Sequence, residues 1–432
     1  MLAAWQAQQQ AFWTAAAAGA AVETPDGFAL PDWQAFEGFW AQLADPAHLC
    51  ADNAPAQAMA RAAGVYRALL AETWGQIADQ FRIQCRAMGA GTGQPPDWRA
   101  VRDRWFQIAE GAFITLQRSD RFLAAQRDAV RAAIAVHHAL PREIRRELGA
   151  GRRQAAEMGR TLSDVDLSGI EIAATPKDEI WRDGAHSVAR YRPLGGQAPQ
   201  LGPVLICHGL IGRQTMTDLR PDRSLVRNLL AAGVDVFVAD WGNTGAEDRH
   251  HGFGHYAFEQ MQAMVDAVVA ASGAAGVTLL GICMGGTMAA AFAASMPRHL
   301  DRLMLAVTPI DCHADVHDAD PAHGLLNLWV RSLEPEDLSA LVDIDGTLSG
   351  LITGLIFNQL NPVRTLQKYA VEMLEIATDR AQITTFLAME KWLADRPDLP
   401  GALAKTWLID LYHRNDLVEG RFAPTGQPVD LA

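Results

Sequence analysis

Val277-Thr-Leu-Leu-Gly281-Ile-Cys283-Met-Gly285-Gly286-Thr287 joins a short apolar, strand-forming run to a G-x-C-x-G-G turn and then to an alanine-rich segment from about Met288 to Ser295. Strand, sharp turn and helix with a nucleophilic side chain at the apex make a nucleophile elbow, here with cysteine in the serine position. The turn forces its central residue into strained backbone angles and lifts the side chain clear. The positions two before and two after must therefore be nearly free of side chain, and Gly281 and Gly285 meet that demand. The following helix points its N-terminal N–H groups at the Cys283 sulfur, which favours thiolate and offers the Met284 N–H as one oxyanion donor.

Outward from the elbow, β-branched runs recur at Ser187 to Tyr191, Val204 to Cys207, Val234 to Ala239 and Leu303 to Val307, with helical segments between them. The alternation predicts βαβ units feeding a doubly wound, mostly parallel sheet, and with the elbow it predicts an α/β-hydrolase fold. The run ending in Cys207-His208-Gly209-Leu210 stands where such folds place a second oxyanion donor, so the Leu210 N–H is the candidate. Cys207 lies inside the apolar run and reads as core. Asp240 of Asp240-Trp241-Gly242 comes too early in chain order to be the acid partner of the nucleophile and reads as structural. From about Leu325 to Glu419 the pattern is helical again, broken at Pro362, Pro397 and Pro400, as in a cap inserted over the sheet (about residues 312–425).

Before the first strand, Met1 to about Met158 shows helical periodicity throughout, with breaks at Pro25, Pro31, Pro55 and Gly91 to Pro96. One helix is expected to start at Asp97 as N-cap and to carry Trp105, Ile108 and Ile114; another starts at Ser119 or Asp120 and carries Phe122, Leu123 and Val130. The Trp and Phe stripe fits either a bundle core or a partner's docking surface. The domain expectation is an all-α domain over residues 1–160 and an α/β domain over 161–432.

Within the 432 residues, 49% hydrophobic and 20% charged composition is that of a globular chain, and a net charge of −13 argues against a binder of nucleic-acid phosphates. The five cysteines are odd in number and irregularly spaced, which points to a reducing, cytoplasmic setting without a disulfide framework. No apolar run is long enough to cross a membrane; the alanine-rich stretch Thr14 to Val22 is too short. Two His/Asp clusters, Asp248-His250-His251-His255 and His313-Asp315-His317-Asp318-Asp320-His323, could suggest a metal. Pro321 and Gly324 mark the second as loop, and no metal site is expected.

Several stretches resemble the polyhydroxyalkanoate synthases, specifically class III, in which a catalytic subunit works with a helical partner. They are Tyr191-Arg-Pro-Leu194, Asp222-Arg-Ser-Leu-Val-Arg227, Val234-Asp-Val-Phe-Val-Ala-Asp-Trp-Gly242, Leu279-Leu-Gly-Ile-Cys-Met-Gly-Gly-Thr287, Val307-Thr-Pro-Ile-Asp311, Asn361-Pro-Val363 and Met389-Glu-Lys-Trp392. Leu116-Gln-Arg-Ser-Asp120 and Phe122-Leu-Ala-Ala-Gln126 resemble the partner subunit, which suggests a PhaE-like region fused ahead of a PhaC-like one. The sequence departs from the family at Cys207-His208-Gly209, which is closer to general hydrolases. The family's acid and histidine follow the nucleophile on the last two strands, and no residue here matches either before Pro428-Val-Asp-Leu-Ala432. The expectation is a chain lacking those strands and both catalytic partners. Asp311 is a weaker positional alternative for the acid, and His413 sits in cap-like sequence.

The resemblance implies that Cys283 takes the acyl group of an (R)-3-hydroxyacyl coenzyme A and passes it to a growing polyester at a cytoplasmic granule surface. Coenzyme A is released and no cofactor is used. It also implies a homo-oligomer or an assembly with PhaC- and PhaE-type subunits, without nucleic acid. The competing readings are a thioesterase or depolymerase using the same elbow, and a non-catalytic scaffold for a complete synthase.

Overall fold

The computed structural model describes residues 54–89, 97–140, 169–196, 198–314, 324–376 and 378–431. They divide into two compact units: the described residues of 1–141, 318–332 and 355–380, and those of 142–317, 333–354 and 381–432. The stretches Met1 to Asn53 and Pro141 to Met158, read as helical from sequence, lie outside the described residues.

The first unit is built on helices α1 (Ala54–Gly89), α2 (Trp98–Gln117) and α3 (Asp120–Ala139). The Asp97 side chain accepts the Arg99 N–H and Ser119 Oγ accepts the Phe122 N–H, so both N-caps are those anticipated and the choice at α3 falls on Ser119. The aromatic stripe is core. Trp74 stacks on Trp105 with centroids 6.0 Å apart and meets the edge of Phe113 at 5.2 Å, among buried Leu69, Ile77 and Phe122. Val363 and Val371 join the same cluster from far along the chain, and Arg102–Glu375 at 3.1 Å and Asn361–Glu110 at 2.9 Å tie the same segment to α2. The helical unit is therefore discontinuous in sequence.

The second unit holds a six-stranded sheet: β1 (Lys177–Asp183), β2 (His186–Tyr191), β3 (Leu201–His208), β4 (Val234–Asp240), β5 (Val277–Ile282) and β6 (Leu300–Ala306), in the order β1-β2-β4-β3-β5-β6. β1 and β2 run antiparallel, and β4, β3, β5 and β6 are mutually parallel. Six consecutive residues of β4, Val234 to Ala239, are buried, as a strand covered on both faces must be, and the acid among them, Asp235, is paired with Arg190 at 2.9 Å. Helices α4 (Leu225–Ala231), α5 (Met261–Ser272) and α6 (Met284–Ala294) connect the strands. α6 is buried at every position from Met284 to Phe292, which its small side chains permit. β6 is the edge strand among those described, and Met304, Leu305 and, just beyond it, Val307 are exposed.

β3 lies between β4 and β5, so the chain steps to one side of β3 and then to the other. The carboxyl ends of β3 and β5 flank this topological switch point, the place where open parallel sheets bind ligands. Past β6, the helix Pro335–Asp343 and α7 (Arg380–Ala394) from Ala381 on belong to this unit, as do Gly401–Lys405 and the wide-turn helix Thr406–His413. No described helix is long and apolar enough to cross a membrane.

Candidate active site

Cys283 sits between the end of β5 and the first residue of α6 with φ 55° and ψ −129°, a left-handed region that a non-glycine residue occupies only under constraint. The constraint is visible: the Cys283 N–H donates to the Ala306 carbonyl of β6 at 3.0 Å, and the Cys283 carbonyl accepts the Gly286 N–H at 2.8 Å. Thr287 Oγ1 donates to the Pro309 carbonyl at 2.7 Å and fixes the first turn of α6 to the segment after β6.

A Cβ on Gly285 would lie 2.3 Å from the Cys207 carbonyl oxygen and 2.7 Å from the His208 carbonyl carbon, and one on Gly209 would lie 2.6 Å from the Met284 Cβ. The elbow and the loop after β3 thus touch backbone to backbone, an approach that only glycine allows. Gly281 is closed in by Gly286 Cα in the same way, at 2.6 Å. Met284 and Leu210, the two candidate oxyanion donors, are buried, one at the start of α6 and the other directly after the Gly209 contact.

The electrostatics differ from the sequence expectation. Cys283 reaches solvent, but burial of its surroundings pushes the thiol above its ordinary value, and the Met284 N–H only partly offsets this. Desolvation outweighs the helix terminus, so the surroundings of Cys283 favour the neutral thiol over the thiolate. Alkylation of the full chain by iodoacetamide should therefore rise with pH through an inflection above the ordinary thiol value of about 8.5. The raised value means less thiolate at pH 7 than an ordinary exposed cysteine has. An inflection at or below pH 8, read by mass spectrometry of the Cys283 peptide, would contradict this.

Cys207 is buried in β3 with its thiol pushed up to about 12 by desolvation, which fits its reading as core. His208 ends β3; its Nδ1 lies 3.0 Å from the Gly209 carbonyl, and burial holds its pKa below the usual imidazole value. The Asp240 carboxylate accepts the Gly242 N–H at 2.8 Å and shapes the turn after β4. The Asp311 carboxylate accepts the Asn415 side-chain N–H at 2.8 Å and the His313 N–H at 2.9 Å, which hold it below its ordinary pKa as part of a local knot. A small, open cleft lies between the loop after β3 and the turn after β4, lined by Leu210, Arg213, Asp240, Trp241 and Thr244.

Of the first His/Asp cluster, His255 lies beside His186 with ring centroids 5.8 Å apart. His251 stacks on His255 at 4.0 Å, His251 lies 3.3 Å from Asp248, and His186 Nδ1 is 3.0 Å from the Trp241 carbonyl. Among the described residues, no three His, Cys, Asp or Glu side chains are grouped to hold a metal ion. In the second cluster His313 Nε2 lies 3.0 Å from the Tyr412 carbonyl, while Asp315, His317, Asp318, Asp320 and His323 lie outside the described residues.

Two features of the site carried no role in the sequence reading: the indoles of Trp241 and Trp392. Trp241 donates its N–H to the His208 carbonyl at the end of β3, and Trp392 donates its N–H to the Arg213 carbonyl of the loop that follows. Both residues stood in the stretches carrying the family resemblance, but nothing local marks an indole as a tether.

Residues 202–405 match the family model described as alpha/beta hydrolase fold. The chain is 33% identical over 269 residues to the poly(3-hydroxyalkanoate) polymerase subunit PhaC of Allochromatium vinosum, covering 62% of this chain and 73% of that one. It is 32% identical over 274 residues to the subunit of the same name from Synechocystis sp., covering 62% and 70%. Among solved structures, brefeldin A esterase aligns at 14% identity with a TM-score of 0.28, covering 61% of this chain and 82% of the esterase.

Proposed function

The chain belongs to the poly(3-hydroxyalkanoate) polymerase PhaC family, and from that membership we propose that it is an acyltransferase of polyester synthesis working through a covalent Cys283 thioester. The observation that carries the reading is the elbow: a cysteine at φ 55° on a strand-to-helix turn, with the loop after β3 packed on it through Gly285 and Gly209.

In this reading the Cys283 sulfur attacks the thioester carbonyl of an (R)-3-hydroxyacyl coenzyme A. The carbonyl oxygen becomes an oxyanion facing the Met284 and Leu210 N–H groups, and it re-forms the carbonyl as the coenzyme A thiolate leaves with the proton Cys283 gave up. Thioester is exchanged for thioester, nearly without change in free energy, so the acyl group stays activated; a serine would hold it as a more stable oxoester. The hydroxyl of the next unit then attacks, an ester bond forms, and the Cys283 thiol is regenerated. The activation energy arrives with the substrate, and the exchange calls on no further cofactor.

We assign no residue of this chain as general base or acid partner, because Asp311 is engaged by Asn415 and His313. The product would place the working enzyme at a polyester surface, and the helical region before residue 160 is proposed to serve it as the partner subunit serves class III enzymes. Incubating the full chain with (R)-3-hydroxybutyryl coenzyme A tests the reading. Coenzyme A release is expected with ester-linked oligomers in the products. Free 3-hydroxybutyrate without oligomers would instead make the chain a thioesterase, and release only in the presence of a complete homologue would make it a scaffold.

A further inference from the structure

We propose that Trp392, on α7, is a positioning residue that holds the loop His208 to Arg213 against the nucleophile elbow, so that the helix carrying it governs whether the oxyanion donors face Cys283. This rests on the acyl-transfer reading above and deepens it.

The loop is held at both ends by indoles. At its start Trp241, fixed at the end of β4, donates Nε1–H to the His208 carbonyl at 2.7 Å. At its far end Trp392 donates Nε1–H to the Arg213 carbonyl at 2.8 Å. The Trp392 ring also lies against the loop's backbone: a Cβ on Gly212 would be 2.9 Å from its Cζ2, and its plane stands at 90° to the His208 ring with centroids 6.4 Å apart. The same part of the chain grips the Arg213 side chain, whose Nε lies 3.1 Å from the Asp395 carboxylate while an NH1 hydrogen bond reaches the Gly242 carbonyl at 2.7 Å.

These contacts differ in what they are anchored to. Trp241 directly follows β4, a strand buried in the sheet, whereas Trp392 lies in the last turn of α7 and Asp395 directly follows that helix. Between the two anchors run Gly209 to Gly212, including the Leu210 N–H and the Gly209 backbone that abuts Met284. A loop pinned at one end by the sheet and at the other by that helix transmits any shift of the helix to the oxyanion donors. Donor placement to within fractions of an ångström governs the rate. Trp392 acts through the loop; it contributes no reacting atom.

The test uses the full chain and Trp392→Phe, which removes the indole N–H and keeps most of the ring. Amide hydrogen exchange of residues 209–213 is expected to accelerate at least about tenfold while β3 and β5 keep their protection. Acylation of Cys283 by (R)-3-hydroxybutyryl coenzyme A at pH 9 should slow about 10- to 100-fold with KM changed less than about threefold. Alkylation by iodoacetamide, which develops no oxyanion, should stay within about twofold. Should Trp392→Phe fail to fold, Gly212→Ala displaces the indole from the other side and carries the same expectations. Unchanged exchange in the loop overturns the proposal, as does faster exchange with wild-type acylation. A wild-type chain that is never acylated defeats the acyl-transfer reading instead, and the exchange measurement then still decides whether Trp392 holds the loop.

Discussion

Cys283→Ala is expected to lower acyl transfer by at least about 10⁴-fold while leaving the fold intact, because it removes the atom that carries the acyl group in the proposed mechanism. The substitution deletes only a sulfur at a solvent-reaching position, so its stability cost should stay within about 1 kcal/mol. Alanine must still adopt φ 55° there, and it meets the same crowding cysteine does, so the variant neither relieves nor adds backbone strain. Incubation with radiolabelled (R)-3-hydroxybutyryl coenzyme A and tryptic digestion makes the result unambiguous. The peptide His250 to Arg298 has no internal Lys or Arg, and Cys283 is its sole cysteine. Label should appear on that peptide in the wild type and vanish in Cys283→Ala. Label persisting there in the alanine variant would mean that another residue carries the acyl group.

What the sequence made legible follows the range over which each signal acts. The five strands expected from β-branched runs are all present, four of them inside the sheet where burial needs apolar sequence and the fifth, β6, at its edge. β1, Lys177-Asp-Glu-Ile-Trp-Arg-Asp183, was not anticipated: it pairs on one side only, at the sheet's edge, and its exposed charges hide the period of two. The caps at Asp97 and Ser119 are local and were readable. That Val363 and Val371 would complete the core around Trp74 and Phe113 was not, since both segments are plain amphipathic helix and their meeting is a long-range packing event. At the site, the glycine spacing revealed the elbow because steric exclusion is a property of the residues themselves. The thiol's upward shift depends on how much protein surrounds the sulfur, and so the helix terminus alone pointed the wrong way. The tethers from Trp241 and Trp392 lay hidden for the same reason: a donor's partner is set by tertiary structure.

Gly285→Ala should cost nearly as much activity as any substitution short of the nucleophile, through geometry alone. The new methyl group would sit 2.3 Å from the Cys207 carbonyl oxygen, 2.7 Å from the His208 carbonyl carbon and 2.9 Å from the Cys207 carbonyl carbon. Carbon and oxygen need more than 3 Å, so a backbone must move. The obstacle is the main chain of β3, paired on both sides by β4 and β5, and it cannot swing aside as a side-chain tip could. The displacement has to be shared between the elbow and the end of β3. Those are the two segments that carry the Met284 and Leu210 N–H groups. A separation increased by most of an ångström withdraws one donor from the developing oxyanion, which costs about 10²- to 10³-fold in rate. Overpacking of a close-packed core adds about 1–3 kcal/mol of destabilisation. The expected pattern is a folded protein with a lower thermal midpoint, acylation slowed at least about 100-fold, and Cys283 still open to iodoacetamide. The alkylation readout separates a displaced oxyanion site from a collapsed one. Wild-type acylation in Gly285→Ala would show that the elbow and the β3 loop are less closely docked in solution than the 2.3 Å approach requires.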